Sequence, residues 1–235
     1  MSAAAPGLVG DELDLIRRLL PPAGARVADI GCGAAPLSRR LLEGGLARSV
    51  AALEVDRAQH AKNLAAPAIP GLEFILAGAD AIPLPEASVD VALMLKSLHH
   101  VSAGRMDAAL AETARVLVPG GWLYVSEPVF AGPFNELMRL FHDEQAVRAA
   151  ALAALARAHG RGVLVQVEER HFDAPIAFRD FDDFVARMVN VTHTAIALDG
   201  DLLEQLRRRF QAHQGPGGAR FVRPMRANLL RRPAR

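Results

Sequence analysis

The chain has 235 residues, is 51% hydrophobic and carries a formal net charge of +1. That is ample material for a sizeable core, and a near-neutral chain has no general attraction for nucleic acid. The lone cysteine, Cys32, excludes an intrachain disulfide. The charge is uneven: residues 201–235 hold nine arginines against Asp201 and Glu204, an excess of +7, which leaves −6 on the first 200. Such a segment can bind phosphates, but without interleaved aromatics it reads first as a solvated face. No apolar run approaches the ~20 residues that span a bilayer. The N-terminus lacks the basic and apolar segments of a signal peptide, so a soluble cytoplasmic protein is expected.

In chain order, residues 8–20 read as an amphipathic helix ending before Pro21-Pro22. A short strand, Arg26 to Ile30, precedes a helix over Leu37–Glu43 that stops at Gly44-Gly45. Ser49–Glu54 is a second strand, followed by a helix near Ala58–Ala65, and Leu72–Leu76 is a third strand. Val89–Leu95 is a near-continuous apolar run, as a strand buried on both faces would be. Arg105–Leu117 has helical spacing, Pro119-Gly120-Gly121 reads as a turn, and Trp122–Ser126 as a fifth strand. Beyond 128 the pattern changes. Residues 133–159 look helical, Val163–Phe172 alternates like a strand, Phe181–Val191 and Leu202–Ala212 read as helices, and Gly215-Pro216-Gly217-Gly218 breaks the chain before a closing strand at Phe221–Leu230. Strands alternating with helices imply right-handed βαβ units. The expected fold is α/β: a Rossmann-like, doubly wound, mostly parallel seven-stranded sheet with helical cover elements. It is read as one domain over 1–235, with a core at 26–126, a helical cover at 128–215, and a closing strand with a basic tail at 216–235.

The segment Val27-Ala28-Asp29-Ile30-Gly31-Cys32-Gly33 concentrates the chemistry. A buried strand ends in an acid and a glycine pair, and a helix follows. Glycine lets a ligand approach the backbone, and the helix start offers free N–H groups. A dinucleotide fold would place a third glycine at residue 36, where this chain has Pro36. Asp29-Ile30-Gly31-Cys32-Gly33 instead resembles the first motif of class I S-adenosylmethionine-dependent methyltransferases, with Ala35 standing where a further glycine is usual. Four more segments resemble that family in order: Ala52-Leu53-Glu54, Gly78-Ala79-Asp80-Ala81-Ile82-Pro83-Leu84, Ser88-Val89-Asp90-Val91, and Arg115-Val116-Leu117-Val118-Pro119-Gly120-Gly121.

The resemblance implies S-adenosylmethionine as cofactor, held by Asp29, Gly31, Cys32, Gly33, Glu54, Val55, Asp80, Ala81 and Leu95. In it Asp29 faces the methionine ammonium, Glu54 takes the ribose hydroxyls, and Asp80 takes the adenine amino group beside the Ala81 N–H. Asp56 is the rival ribose ligand, and a helix cap is the plain alternative for Asp80. With no base nearby in the sequence, Cys32 reads as a small turn residue rather than a nucleophile.

On the acceptor side, Lys96, His99 and His100 leave the fourth strand, Glu127 ends the fifth, and His142 lies in the polar stretch Phe141-His142-Asp143-Glu144. These five are the candidate catalytic residues; His99 or His100 would be a general base. Packing and ion pairing are the bland alternatives for each. Val191-Thr192-His193-Thr194 adds a polar patch. No metal is expected, since His142, Asp143 and His193 lack tight ligand spacing. The reading is methyl transfer to a small-molecule acceptor, with nucleic acid disfavoured, no membrane span, and a homodimer left open. The alternatives are RNA or protein methylation through the basic segment, or a divergent protein that keeps the fold without methylating.

Overall fold

The computed structural model describes residues 7–20, 24–189 and 199–234. They form two compact units. One comprises residues 11–127, 147–170 and 226–235; the other comprises residues up to Gly10, 128–146 and 171–225. In chain order the elements are β1 (Gly7–Leu8), α1 (Glu12–Leu19), β2 (Ala25–Ile30), α2 (Pro36–Glu43), β3 (Ala47–Glu54), α3 (Arg57–Ala65), β4 (Leu72–Leu76), β5 (Val89–Leu95), α4 (Met106–Val116) and β6 (Leu117–Pro128). They continue with α5 (Gly132–Met138), α6 (Gln145–Gly160), β7 (Val165–Phe178), α7 (Phe181–Met188), α8 (Gly200–Gln211), β8 (Gln214–Gly215) and β9 (Gly218–Arg231). No described helix is long and apolar enough to cross a membrane.

The strands make one sheet in the order β1-β7-β9-β6-β5-β2-β3-β4, with β8 paired to β9. The sheet is nine-stranded rather than seven-stranded; the additions are β1 and β8, each of two residues and too short to leave a periodic signal. In the larger unit, β4, β3, β2, β5 and β6 run parallel. The chain leaves β2 towards β3 and β4 on one side and returns to β5 on the other. The carboxyl end of β2 is therefore the switch point at which open α/β sheets bind ligands. Its core packs Ile30, Leu53, Ala92, Met94 and Leu123 from the strands against Met106 and Leu110 of α4 and Ala151, Ala154 and Leu155 of α6. Alanines along α6 let that helix lie close to the sheet.

The smaller unit has its own core, in which Phe134, Phe178, Phe181, Phe184, Phe210 and Phe221 meet through stacked and edge-on ring contacts. Three local elements differ from the expectation. Pro119-Gly120-Gly121 is not a turn between elements but lies within β6; Gly120 takes a φ of +77°, and the pairing with β5 shifts register between Val89 and Val91. The helical stretch expected over 133–159 is two helices, broken at 139–144. Strand β7 runs six residues past Phe172, to Phe178.

Candidate functional site

The turn after β2 is built by backbone and side-chain hydrogen bonds that converge on it. The N–H groups of Gly31 and Cys32 both donate to the Leu53 carbonyl of β3 at 2.9 Å. Gly31 is exposed and has a φ of +78°, and a Cβ built there would lie 2.6 Å from the Ser97 Cβ. Only glycine fits this position. Ser97, which follows β5, donates its hydroxyl to the Ile30 carbonyl at 2.7 Å and so closes the turn from the other side. Asn63, buried on α3, donates to the Gly33 carbonyl at 2.7 Å.

Two buried carboxylates flank this turn. Asp29 is 4% exposed and accepts the Ser38 hydroxyl of α2 at 2.5 Å. Burial raises its pKa to about 6, against the opposing pull of Ser38 and Lys96. Glu54 is 8% exposed. It accepts the Gly33 N–H at 2.9 Å through Oε2 and the Asp56 N–H at 2.8 Å through Oε1. Each oxygen keeps a further lone pair for a ligand hydroxyl. Asp56, the rival candidate, accepts the Ala58 N–H at 2.8 Å as the cap of α3. Val55 is 70% exposed at the end of β3 and offers bare apolar surface to a ring. Cys32 is buried, and burial pushes its thiol well above the usual range, so it cannot serve as a thiolate.

Asp80 lies in the loop after β4 and pairs with the Arg105 guanidinium; Ala81, beside it, is exposed. That loop is clamped by α4. Arg115 donates to the Ile82 and Leu84 carbonyls at 2.8 and 2.9 Å, and Glu112 accepts the Ile82 N–H at 3.1 Å. The family-like acid Asp90 plays a different part and grips Arg26 at the amino end of β2, with contacts of 2.7–3.0 Å.

Beyond β5, Leu95 is half-buried and Lys96 takes a φ of +55°, a strained conformation for a side chain with a Cβ. Lys96 Nζ lies 3.2 Å from Glu12 Oε2, while the buried Tyr124 hydroxyl donates to Glu12 Oε1 at 3.0 Å. His99 and Glu127 are buried and in contact, whereas His100 is exposed. His142 belongs to the smaller unit. It sits between α5 and α6, with Nε2 2.9 Å from Glu144 Oε1. The patch at 191–194, His193 included, lies outside the described residues.

A model of the methyltransferase domain family matches residues 28–125, the stretch that carries this turn and its flanking carboxylates. Over those residues the chain is similar to methyltransferase domains. An uncharacterized methyltransferase of Mycobacterium tuberculosis is 39% identical to it over 105 residues, 45% of this chain and 40% of that protein. An O-methyltransferase of Penicillium expansum, cnsE, is 32% identical over 134 residues, 54% of this chain and 47% of that protein. The chain thus spans under half the length of these relatives. A solved Bacillus halodurans C-125 structure superposes with a TM-score of 0.65 at 16% identity, over 95% of this chain and 99% of that one, a likeness of fold.

Ser38, Asn63, Ser97, Glu12 and Tyr124 support the turn after β2 and its surroundings, and sequence reading passed over all five. Each acts through a partner 9 to 112 residues away, so no local motif marks it.

Proposed function

We propose that the protein transfers a methyl group from S-adenosylmethionine to a small-molecule acceptor. The observation that carries this reading is the exposed, side-chain-intolerant Gly31 turn between two buried carboxylates, Asp29 and Glu54, at the switch point. The cofactor joins an ammonium and a sulfonium to a ribose and an adenine, and the donor set fits that combination. Asp29 would face the ammonium, Glu54 the ribose hydroxyls, and Val55 the adenine face. Asp80 and the Ala81 N–H would meet the adenine edge once Asp80 exchanges Arg105 for the ligand. Gly33, Cys32 and Leu95 supply backbone and apolar walls. When bound, the cofactor supplies an electrophilic methyl group; the chain's part is to orient the nucleophile, exclude water and manage its proton.

The basic segment gives little support to an RNA substrate. Arg231 lies over the Trp122 ring at 4.8 Å, Arg232 donates to the Arg115 and Leu117 carbonyls, Arg207 lies over Phe181 at 4.4 Å, and Arg226 is half-buried. Much of the positive charge is thus engaged within the chain.

Calorimetric titration with S-adenosylmethionine and S-adenosylhomocysteine, wild type beside Asp80→Ala, tests the reading. Micromolar binding that the variant loses is expected. No binding by the wild type would refute it.

A further inference from the structure

The loop after β4 is clamped at one end and paired with its own surroundings at the other. From Ile82 onward Arg115 and Glu112 of α4 hold it, and Ile82 itself is 3% exposed. Just before the clamp stand the two groups that the methyl-transfer reading assigns to the adenine edge, and both are engaged within the chain. Asp80 Oδ2 pairs with the Arg105 guanidinium. The Ala81 N–H donates to the Gly78 carbonyl at 3.3 Å, longer than the usual range for such a bond.

Asp80 is held in this rotamer from a second side. Its Oδ1 folds back over Gly78, where a Cβ would lie 2.9 Å from it. Gly78 is not among the glycines with a positive φ, so here the missing Cβ makes room for a side chain rather than for a turn. Arg105 closes the 3₁₀ turn Ala103–Arg105 that leads into α4, and its N–H donates to the Ser102 carbonyl at 2.7 Å. The backbone from which it reaches is thus fixed. Its side chain, however, is 68% exposed, against 12% for Asp80. An exposed guanidinium that lets go stays hydrated, whereas a mostly buried carboxylate needs a replacement donor. Asp80 therefore exchanges Arg105 only for a ligand that donates to it.

We propose that Arg105 is a latch on the adenine subsite: it competes with the cofactor's amino group for Asp80, and so sets the affinity for the cofactor and for its demethylated product together. This rests on the methyl-transfer reading. The exchange replaces a charged donor by a neutral one at the same carboxylate, so displacing Arg105 offsets part of the amino group's hydrogen bond. The adenosine half is common to S-adenosylmethionine and S-adenosylhomocysteine, and the latch weakens both by one factor. Uniform weakening raises KM and hastens product release, while the chemical step is untouched.

The test is calorimetric titration of the full chain with both ligands, wild type beside Arg105→Ala, Arg105→Lys, Asp80→Asn and the double variant of Asp80→Asn with Arg105→Ala. Arg105→Ala is expected to bind S-adenosylmethionine and S-adenosylhomocysteine about two- to fivefold more tightly, by the same factor for each, as loss of a competing exposed ion pair implies. The gain should shrink as salt rises from about 0.05 M to about 0.5 M. Arg105→Lys keeps the cation and should stay near wild type. In the Asp80→Asn background, Arg105→Ala should change little. Without ligand, Asp80→Asn and Arg105→Ala should couple in urea midpoints, and Gly78→Ala should remove that coupling by pushing the carboxylate out of the pair. An Arg105→Ala variant that binds no more tightly than wild type, or gains equally in the Asp80→Asn background, would overturn the proposal. So would a larger gain for S-adenosylmethionine than for S-adenosylhomocysteine, which marks plain repulsion of the sulfonium. If neither wild type nor Arg105→Ala binds either ligand, the methyl-transfer reading falls and takes the latch with it; if only the latch is wrong, wild-type binding survives.

Discussion

Asp29→Asn should stabilise the protein and cripple its ligand turn in the same stroke. Asp29 is 4% exposed, and its pKa rises from 3.8 to about 6 on folding, chiefly because burial penalises the charge. The folded state therefore holds this proton more tightly than the unfolded one. Stability present below pH 3.8 is lost as pH climbs through about 6. A shift of about two units at 1.36 kcal/mol each amounts to roughly 3 kcal/mol lost by pH 8. Asparagine has nearly the same shape, accepts the Ser38 hydroxyl through its carbonyl oxygen, and does not titrate. The stability of Asp29→Asn relative to wild type should rise by about 2.5 kcal/mol between pH 4 and pH 8, worth roughly 5–10 °C in Tm for a chain of this size. Urea and thermal midpoints of both proteins at the two pH values read this directly. At pH 8 the variant should bind S-adenosylmethionine some 10- to 100-fold more weakly than wild type, having lost a charged partner for the ammonium. Wild-type affinity should itself fall as pH drops below about 6. Parallel stability profiles for the two proteins would refute the burial argument, and an unchanged affinity would refute the ammonium assignment.

Gly31→Ala should cost about 1–3 kcal/mol for its left-handed backbone, with a further penalty from the 2.6 Å approach to Ser97. Adding Ser97→Gly should recover only that further penalty, seen as positive coupling in a double-mutant cycle of urea midpoints. Glu54→Gln cannot accept both the Gly33 and Asp56 N–H groups, because one of its oxygens becomes a donor. Calorimetry should show S-adenosylmethionine bound about 1–3 kcal/mol more weakly; an unchanged value would free Glu54 from the ribose. Phe178→Ala, at a ring that is 1% exposed and touches Phe134, Phe184, Phe210 and Phe221, should destabilise the protein by about 3–5 kcal/mol in chemical denaturation.

The alternation of strands and helices over 26–126 was legible because a strand buried on both faces must be apolar throughout, and Val89–Leu95 is nearly so. Asp29 and Glu54 were legible as acids at the ends of β2 and β3 for a related reason: each closes an apolar run where the sheet stops. Past residue 128 the signals weaken. Polar Phe141–Glu144 looked like part of one long helix, because alanine-rich sequence follows it and no proline or glycine marks the break. Gly120 within β6 misled in the opposite sense, since a Pro-Gly-Gly run reads as a turn unless the register shift against β5 is known.

The paired residues show the deeper limit. Asp29 needs Ser38, Gly31 needs Ser97, and Glu127 needs His99, and none of these partners shares a helix face or a strand face with the residue it serves. Sequence therefore marks where the charges stand and leaves open what they touch. What they touch decides their roles here. Asp90 and Glu127 are both acids of neighbouring strands, yet Asp90 holds Arg26 in a half-exposed pair at the amino end of β2, and Glu127 holds an imidazole out of water at the carboxyl end of β6. The first arrangement stabilises the sheet edge modestly. The second holds a buried ring in one orientation, which an exposed pair does not do.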